Sequence, residues 1–371
     1  MLVFEAKLVG NEQQYRKLDK AIRTAQFVRN KCLAYWINAS REEKVNRNKL
    51  SMVALQLRRD FEWAGKLNSE ACQAHSDRAW SAISRFFDNC KKKVLGKKGY
   101  PKFKHNSRSV EYKRTGWKLS VDKKKLILTD GFEAGAFKLK GTRDLSWYTK
   151  QQIKRVRIVR RAKGYYAQFC IDIERHEPLP RTGKFTGIDL GLKEFYTDSN
   201  GKVVSNPRYL RRSELRLKRR QRRKSKRKKG SANRRKAINR LGRAHFKVSS
   251  QRKDFAIKTA KALVQSNDLI VYEDLKVRNM VKNHKLAKSI SDASWSMFTD
   301  WLDYFGKVHG RIVFSVAPHW TSQNCSGCGE VVSKSLSTRT HQCPKCQMVL
   351  DRDHNAAINI LAKGWDDDRS F

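Results

Sequence analysis

The sequence predicts a multidomain chain: an all-β barrel carrying an inserted helical domain, then an α/β domain interrupted by a small cysteine-bearing module. Three features predict this. Residues 14–94 keep helical periodicity almost without Gly or Pro, between a strand-like start and a run of short alternating segments. Beyond Pro178 and Pro180 the order becomes three strands, helix, strand, helix, strand, helix. Two CxxC pairs, Cys325/Cys328 and Cys343/Cys346, fall between the last of those strands and the last helix.

Taken in order, residues 1–10 alternate as a strand does, and the helical stretch carries apolar positions such as Leu18, Ile22, Phe27, Val28, Leu33, Leu55, Trp80, Ile83 and Phe86. Gly96, Gly99 and Pro101 break it, and KLILTD, RVRIVRR and YYAQFCIDI then read as antiparallel strands. Since one strand precedes the helices, the simplest architecture is a barrel from 1–12 and 96–180 with a helical insertion at 13–95. Next come FTGIDLG, a hairpin around Ser199-Asn200-Gly201, a long basic helical stretch, DLIVYEDL, a helix over 292–308, RIVFSVAP and a short helix over 354–363. This is the RNase H order, covering 181–319 and 351–371, with the cysteine module at 320–350.

Charge bounds the partners. Among 371 residues, 82 Lys and Arg face 35 Asp and Glu, a net charge of +47 that a polyanion would neutralise. Nucleic acid is the expected partner, and aromatics spread along the chain argue against a membrane-surface helix. MLVFEAKLVG lacks the form of a secretory signal and no apolar run is long enough for a membrane span, so the expected location is a reducing cytoplasm. Cys32, Cys72, Cys90 and Cys170 lie far apart and read as ordinary buried thiols rather than a disulfide framework.

Asp189 stands inside the apolar context Gly187-Ile188-Asp189-Leu190-Gly191, where an unpaired carboxylate is costly without a function. In the RNase H order the first and fourth strands are neighbours, so Asp189 would meet Glu273 or Asp274, which strand alternation sends to opposite faces. The last helix begins beside them, with Asp353 at the expected N-cap and Asp351 as its rival. Three such carboxylates can hold two Mg²⁺ ions about 3.5–4 Å apart, activating water and stabilising the leaving oxygen of a phosphodiester.

The four cysteines, two CxxC knuckles separated by 14 residues, have zinc-ribbon spacing, and four thiolates leave no open position on the metal, so one structural Zn²⁺ is expected. Between Arg208 and Lys253 there are 22 basic residues and one acidic residue, Glu214. Interspersed Leu215, Leu217, Ile238, Leu241 and Phe246 suggest a packed helical pair that tracks phosphates, with Arg219, Arg220, Arg222, Arg223, Lys224, Arg234 and Arg235 as its nucleic-acid contacts.

GIDLGL at 187–192, VYEDL at 271–275, KLAKSISDASW at 285–295, TSQNCSGCG at 321–329, HQCPKC with LDRDHNAAINI at 341–360, and GYPKFK at 99–104 together resemble TnpB, transposon-encoded relatives of type V CRISPR effector nucleases. The resemblance covers nearly the whole chain. It implies a wedge barrel, an inserted recognition domain, and a RuvC nuclease domain interrupted by a zinc-ribbon nucleic-acid-binding module. It further implies that Asp189, Glu273 and Asp353 are the RuvC triad and that Arg339 contacts the scissile phosphate. The implied partners are a transposon-derived guide RNA and double-stranded DNA with a short motif beside the target. A monomer associated with a prokaryotic nucleoid is the implied setting. Ile257 stands where many relatives carry His, and the acidic tail Asp366 to Asp368 reads as a solvated end. A DDE transposase usually ends its triad in Glu, and a guide-directed repressor loses triad carboxylates; the Asp, Glu, Asp order fits neither.

Overall fold

The computed structural model describes all residues except 41, 142–143, 336–337 and 368–371, and the acidic tail, Asp366 to Asp368, lies outside the residues whose side chains are described. The chain forms two compact units, Met1–Glu174 and Arg175–Phe371. Among the described residues no helix is long and apolar enough to cross a membrane.

In the first unit, β1 (Leu2–Val9) buries Leu2, Phe4, Ala6 and Leu8 on one face, as its alternation dictates. Helices α1 (Glu12–Asn38), α2 (Arg47–Asp60), α3 (Glu62–Gly65) and α4 (Ser69–Lys91) follow, α1 opening on a capping box between Asn11 and Gln14. Strands β2 (Ser109–Tyr112), β3 (Trp117–Leu119), β4 (Lys125–Leu128), β5 (Gly135–Lys140), β6 (Ile153–Arg161) and β7 (Gly164–Ile171) complete one antiparallel sheet in the order β2-β6-β7-β1-β5-β4-β3. Sheet and helices share one apolar core that includes Cys32 and Cys72, and Cys170 is buried as well, whereas Cys90, expected to be buried, is exposed because it falls in the last turn of α4.

The expected barrel is not closed by a ladder: among the described residues β2 and β3 are the two free edges. Backbone amides of the turn between them are taken up by the Glu70 carboxylate, which accepts from Arg114 N (2.7 Å) and Thr115 N (3.0 Å). Beside this edge Glu111 is buried among Arg78, Arg155 and Arg157 at 2.7–3.1 Å, and its backbone N–H donates to His75 Nε2 (3.3 Å).

The second unit holds β8 (Phe185–Leu190), β9 (Glu194–Asp198), β10 (Val203–Ser205), α5 (Tyr209–Ser225), α6 (Ala232–Ser266), β11 (Leu269–Glu273), α7 (Val277–Met280), α8 (Ala287–Ala293), α9 (Trp295–His309), β12 (Ile312–Val316), β13 (Thr340–Gln342), β14 (Val349–Asp351) and α10 (Arg352–Asp367). Its main sheet runs β10-β9-β8-β11-β12, with β8, β11 and β12 parallel, so the first and fourth strands are neighbours as the RNase H order requires. Residues 175–180, assigned from sequence to the barrel, instead join this unit: Glu177 N donates to Val308 O (2.7 Å) and Arg311 Nη2 to Pro180 O (2.6 Å).

Gly187 sets the distance between α10 and the sheet. A Cβ there would lie 2.2 Å from Ala357 O and 2.6 Å from Leu361 N, so the helix backbone rests directly on β8. The basic stretch folds as the α5–α6 pair around Leu217, Leu241 and Val248. Leu215 and Ile238, expected in that packing, are 71% and 45% exposed because they fall on the outer side of their helices.

Two predictions follow from this packing. Burial, with Arg78 nearby, pushes the His75 imidazole down to about 3, so the unfolded chain binds a proton that the folded unit refuses. Stability is therefore complete above the unfolded value near 6.5 and falls as pH drops toward 3, by up to about 1.4 kcal/mol per pH unit. The urea midpoint, read by hydrogen exchange of β1, should fall across this window in the native chain and less steeply in His75→Gln; equal slopes would refute it. Second, Gly187→Ala should cost about 1–3 kcal/mol or more by overpacking. An unchanged melting temperature would rule out so close a helix–strand contact.

Candidate active site and metal centre

The parallel register pairs Tyr272 with Ile188, so the next position up the two strands sets Glu273 beside Asp189. Asp189 also shares a face with Gly187, the face that α10 covers. Burial, then the charges of Glu273 and Asp353, push the Asp189 carboxyl well above the usual carboxylate range, with Arg352 offsetting part of this. The three acids predicted from separate segments therefore lie within electrostatic reach of one another. Glu273 is buried and raised by that burial, against a hydrogen bond from Thr321 and the charge of Lys363. Asp274 turns away, exposed and paired with Lys276.

The helix cap is a correction. Asp351, not Asp353, caps α10: its Oδ1 accepts from Asp353 N (2.8 Å) and His354 N (3.3 Å). Because β14 runs to Asp351 and the helix starts at the next residue, Asp353 falls inside the first turn. There it is 9% exposed and faces Arg352 (3.2 Å) and Arg339 (3.6 Å). Arg339, predicted at a phosphate, thus reaches the carboxylate cluster.

The four cysteine sulfurs form one cluster, all within 4.8 Å of one another, with Cys325–Cys346 and Cys328–Cys343 each at 3.5 Å. A tetrahedral ion with Zn–S bonds of about 2.3 Å would set the sulfurs roughly 3.8 Å apart, so the cage fits. Its two halves repeat the same backbone pattern. Gly329 N donates to Cys325 O (2.9 Å) and Cys325 N to Glu330 O (2.8 Å); Gln347 N donates to Cys343 O (3.1 Å) and Cys343 N to Met348 O (3.0 Å). Gly329 and Gln347 take positive φ, 76° and 59°, to close these turns.

Residues that sequence reasoning missed tie this cage to the acids. Asn355 Oδ1 accepts from Ser326 N (3.0 Å) while its Nδ2 donates to Asn324 O (2.8 Å). Asn359 Nδ2 donates to Thr321 O (2.8 Å) and Asn324 O (2.7 Å), and the Thr321 hydroxyl donates to Glu273 Oε1. A signal was present: Asn355 and Asn359 are four apart and so share one face of a helix.

On the basic pair, Arg219, Arg222, Arg223 and Lys224 line α5, and a cavity of about 400 Å³ is bounded by Arg212, Leu215, Arg216, Arg219, Arg220 and Arg223. Arg220 Nη1 also donates to Arg240 O (2.5 Å). Arg235 stands one residue further on in α6, whereas Arg234, predicted as a phosphate contact, donates to Lys224 O (3.2 Å) and Arg227 O (2.8 Å) and closes the α5–α6 turn.

Two family models match the chain: OrfB_IS605, described as a probable transposase, over residues 168–284, and the Cas12f1-like TNB domain over 295–360. Among solved structures, a Cas12f1–sgRNA–target DNA complex aligns over 94% of this chain and 83% of its own at TM-score 0.57 and 16% identity. The mini-RNA-guided endonuclease Cas-phi3 aligns over 98% and 92% at TM-score 0.59 and 11% identity. The class is thus that of the compact effector fold, mixed α/β in content. A Streptomyces pristinaespiralis protein assigned as an RNA-guided DNA endonuclease is 30% identical over 97% of this chain and 89% of its own length. InsQ of Escherichia coli K12, assigned likewise, is 26% identical over 71% and 68%. The chain belongs to this family, the TnpB family of transposon-associated RNA-guided DNA endonucleases.

The cysteine cage predicts one tightly held zinc per chain, lost in Cys325→Ser. Elemental analysis of the purified protein checks it, and a Cys325→Ser protein that keeps its zinc would remove these thiols from the metal site.

Proposed function

We propose that this protein cleaves DNA selected by a bound guide RNA, hydrolysing phosphodiester bonds at Asp189, Glu273 and Asp353 with Mg²⁺. The observation that carries this reading is the convergence of three carboxylates from β8, β11 and α10 to within electrostatic reach of one another, two of them buried, with too little cationic charge nearby to keep Asp189 in its usual range. Hard oxygen donors left short of counter-charge suit a divalent cation. When bound, such ions would lower the pKa of an attacking water and stabilise the leaving oxygen.

The chain's own groups supply the rest. Parallel pairing of β8 and β11 fixes the spacing of Asp189 and Glu273, and the Asp351 cap anchors the turn that carries Asp353. Arg339 and Arg352 pair with Asp353; Arg339, 45% exposed at its side chain, can turn to a phosphate. The α5 arginines offer a phosphate-binding face for the guide, while the base sequence of the target is read by pairing to the RNA. All three acids are retained, which separates this chain from a guide-directed repressor. The domain reading is a RuvC-like nuclease domain with the zinc ribbon inserted ahead of its last helix, and a wedge-type sheet with a helical recognition insertion before it.

Asp189→Ala, Glu273→Ala and Asp353→Ala should each lower Mg²⁺-dependent cleavage of guide-matched duplex by on the order of a thousandfold or more, with guide and target affinity nearly intact. Asp274→Ala should keep its activity, and Asp351→Ala should lose about 1 kcal/mol of stability through its cap but retain cleavage. Gel assays of the purified complex decide this: three variants that still cut would end the RuvC reading. For the guide, replacing Arg219, Arg220, Arg222 and Arg223 by Gln should flatten log affinity against log salt. Arg234→Gln should leave that slope unchanged and weaken only folding; the reverse pattern would place the RNA elsewhere.

A further inference from the structure

Thr321 is 3% exposed, and its hydroxyl donates to an oxygen of Glu273, itself 7% exposed. A Thr at this depth could satisfy its hydroxyl on a backbone carbonyl of its own turn. It reaches instead across 48 residues to a proposed cation ligand. The other favourable group near Glu273, Lys363, donates to His319 O, so it contributes charge without fixing the carboxylate plane.

What holds Thr321 is the ribbon and its clamp. Trp320 takes a positive φ of 66° and its carbonyl accepts from Gln323 N (3.1 Å) and Asn324 N (2.9 Å), a tight turn leading straight into the first knuckle at Cys325. Asn359 grips that turn at Thr321 O and Asn324 O, and Asn355 grips Asn324 O and Ser326 N. The chain between the two knuckles is tied to the same helix where Arg352 N donates to Arg339 O (2.6 Å).

We propose that Thr321 is a positioning residue for Glu273, held in place by the cysteine ribbon, and that the ribbon thereby sets the affinity of the carboxylate site for divalent cations. This rests on the reading of Asp189, Glu273 and Asp353 as that site. The hydroxyl occupies one lone pair of Oε1 and restricts rotation of the carboxylate, leaving the remaining lone pairs arranged for a cation. Partners of this kind, one bond beyond a metal ligand, typically change metal affinity about 10–100-fold.

The test is Mn²⁺ binding to the full-length protein without nucleic acid, followed by the electron paramagnetic resonance signal of free Mn²⁺, with Asp189→Ala as the baseline. Thr321→Val, similar in shape but without the hydroxyl, should bind Mn²⁺ roughly tenfold or more weakly while keeping its zinc and its melting temperature. Thr321→Ser should bind within about twofold of the native chain, as the retained hydroxyl predicts. In cleavage assays the Mg²⁺ concentration for half-maximal rate should shift by a similar factor in Thr321→Val, with little change at saturating Mg²⁺. Native Mn²⁺ affinity in Thr321→Val, or a Thr321→Ser protein as weak as Thr321→Val, would overturn the proposal and leave Thr321 as packing. If the native chain binds no more Mn²⁺ than Asp189→Ala, the carboxylate-site reading itself falls and takes this inference with it.

Discussion

Helix α10 lies so close to β8 that a methyl group on Gly187 would overlap the Ala357 carbonyl, 2.2 Å away. Much of the second unit depends on that contact. With the helix backbone resting on the strand, its first turn falls at the end of β8, where Asp189 emerges and β11 delivers Glu273. The approach is repeated further along the helix, where a Cβ on Gly364 would lie 2.5 Å from Val271 Cγ2. Two glycines thus fix one helix against two strands, and each of those three elements carries one of the three acids. At Gly187 the contact is backbone on backbone and at Gly364 it is helix backbone on the Val271 side chain, and at both the packing leaves the helix little room to shift.

Among the partly and fully buried acids of this basic protein, two opposite cases occur. Glu111 would be raised by burial, but Arg78 and Arg157 outweigh it and hold the carboxyl below its usual range. Asp292 receives the Arg252 guanidinium (2.8 Å) and the amides of Leu210 and Arg211, and so anchors the basic pair to α8. Asp189 and Glu273 are displaced in the opposite direction although Lys and Arg make up 82 of 371 residues. Burial raises Asp130 in the same direction, where the Tyr112 hydroxyl donates to it (2.6 Å).

The ribbon is a small module with two attachments to the acids. Thr321 precedes its first knuckle and meets Glu273; Arg339, between the knuckles, meets Asp353. The Asn355–Asn359 face of α10 closes the loop by holding the knuckle backbone. Side-chain and backbone hydrogen bonds thus join the cysteine cage to the carboxylates within this unit.

Much of this was legible in the sequence because it depends on spacing over a few residues. Helical and strand periodicity gave the element order, alternation in IVYED separated Glu273 from Asp274, and the doubled CxxC spacing brought four sulfurs together. What failed, or could not be read, depends on where the chain travels. Whether Asp351 or Asp353 caps α10 turns on where β14 ends, a matter of pairing with β13. Arg234 looked like its basic neighbours until the α5–α6 turn placed two carbonyls before it, and Leu215 and Ile238 looked like core until the facing helix covered other positions. Glu70 took the amides of Arg114 and Thr115 in the β2–β3 turn from 44 and 45 residues away, and Thr321 found Glu273 across 48 residues. Backbone geometry dictates which residues share a face, so local pattern determines elements and faces; partners supplied by another segment exist only once tertiary packing has brought the segments together.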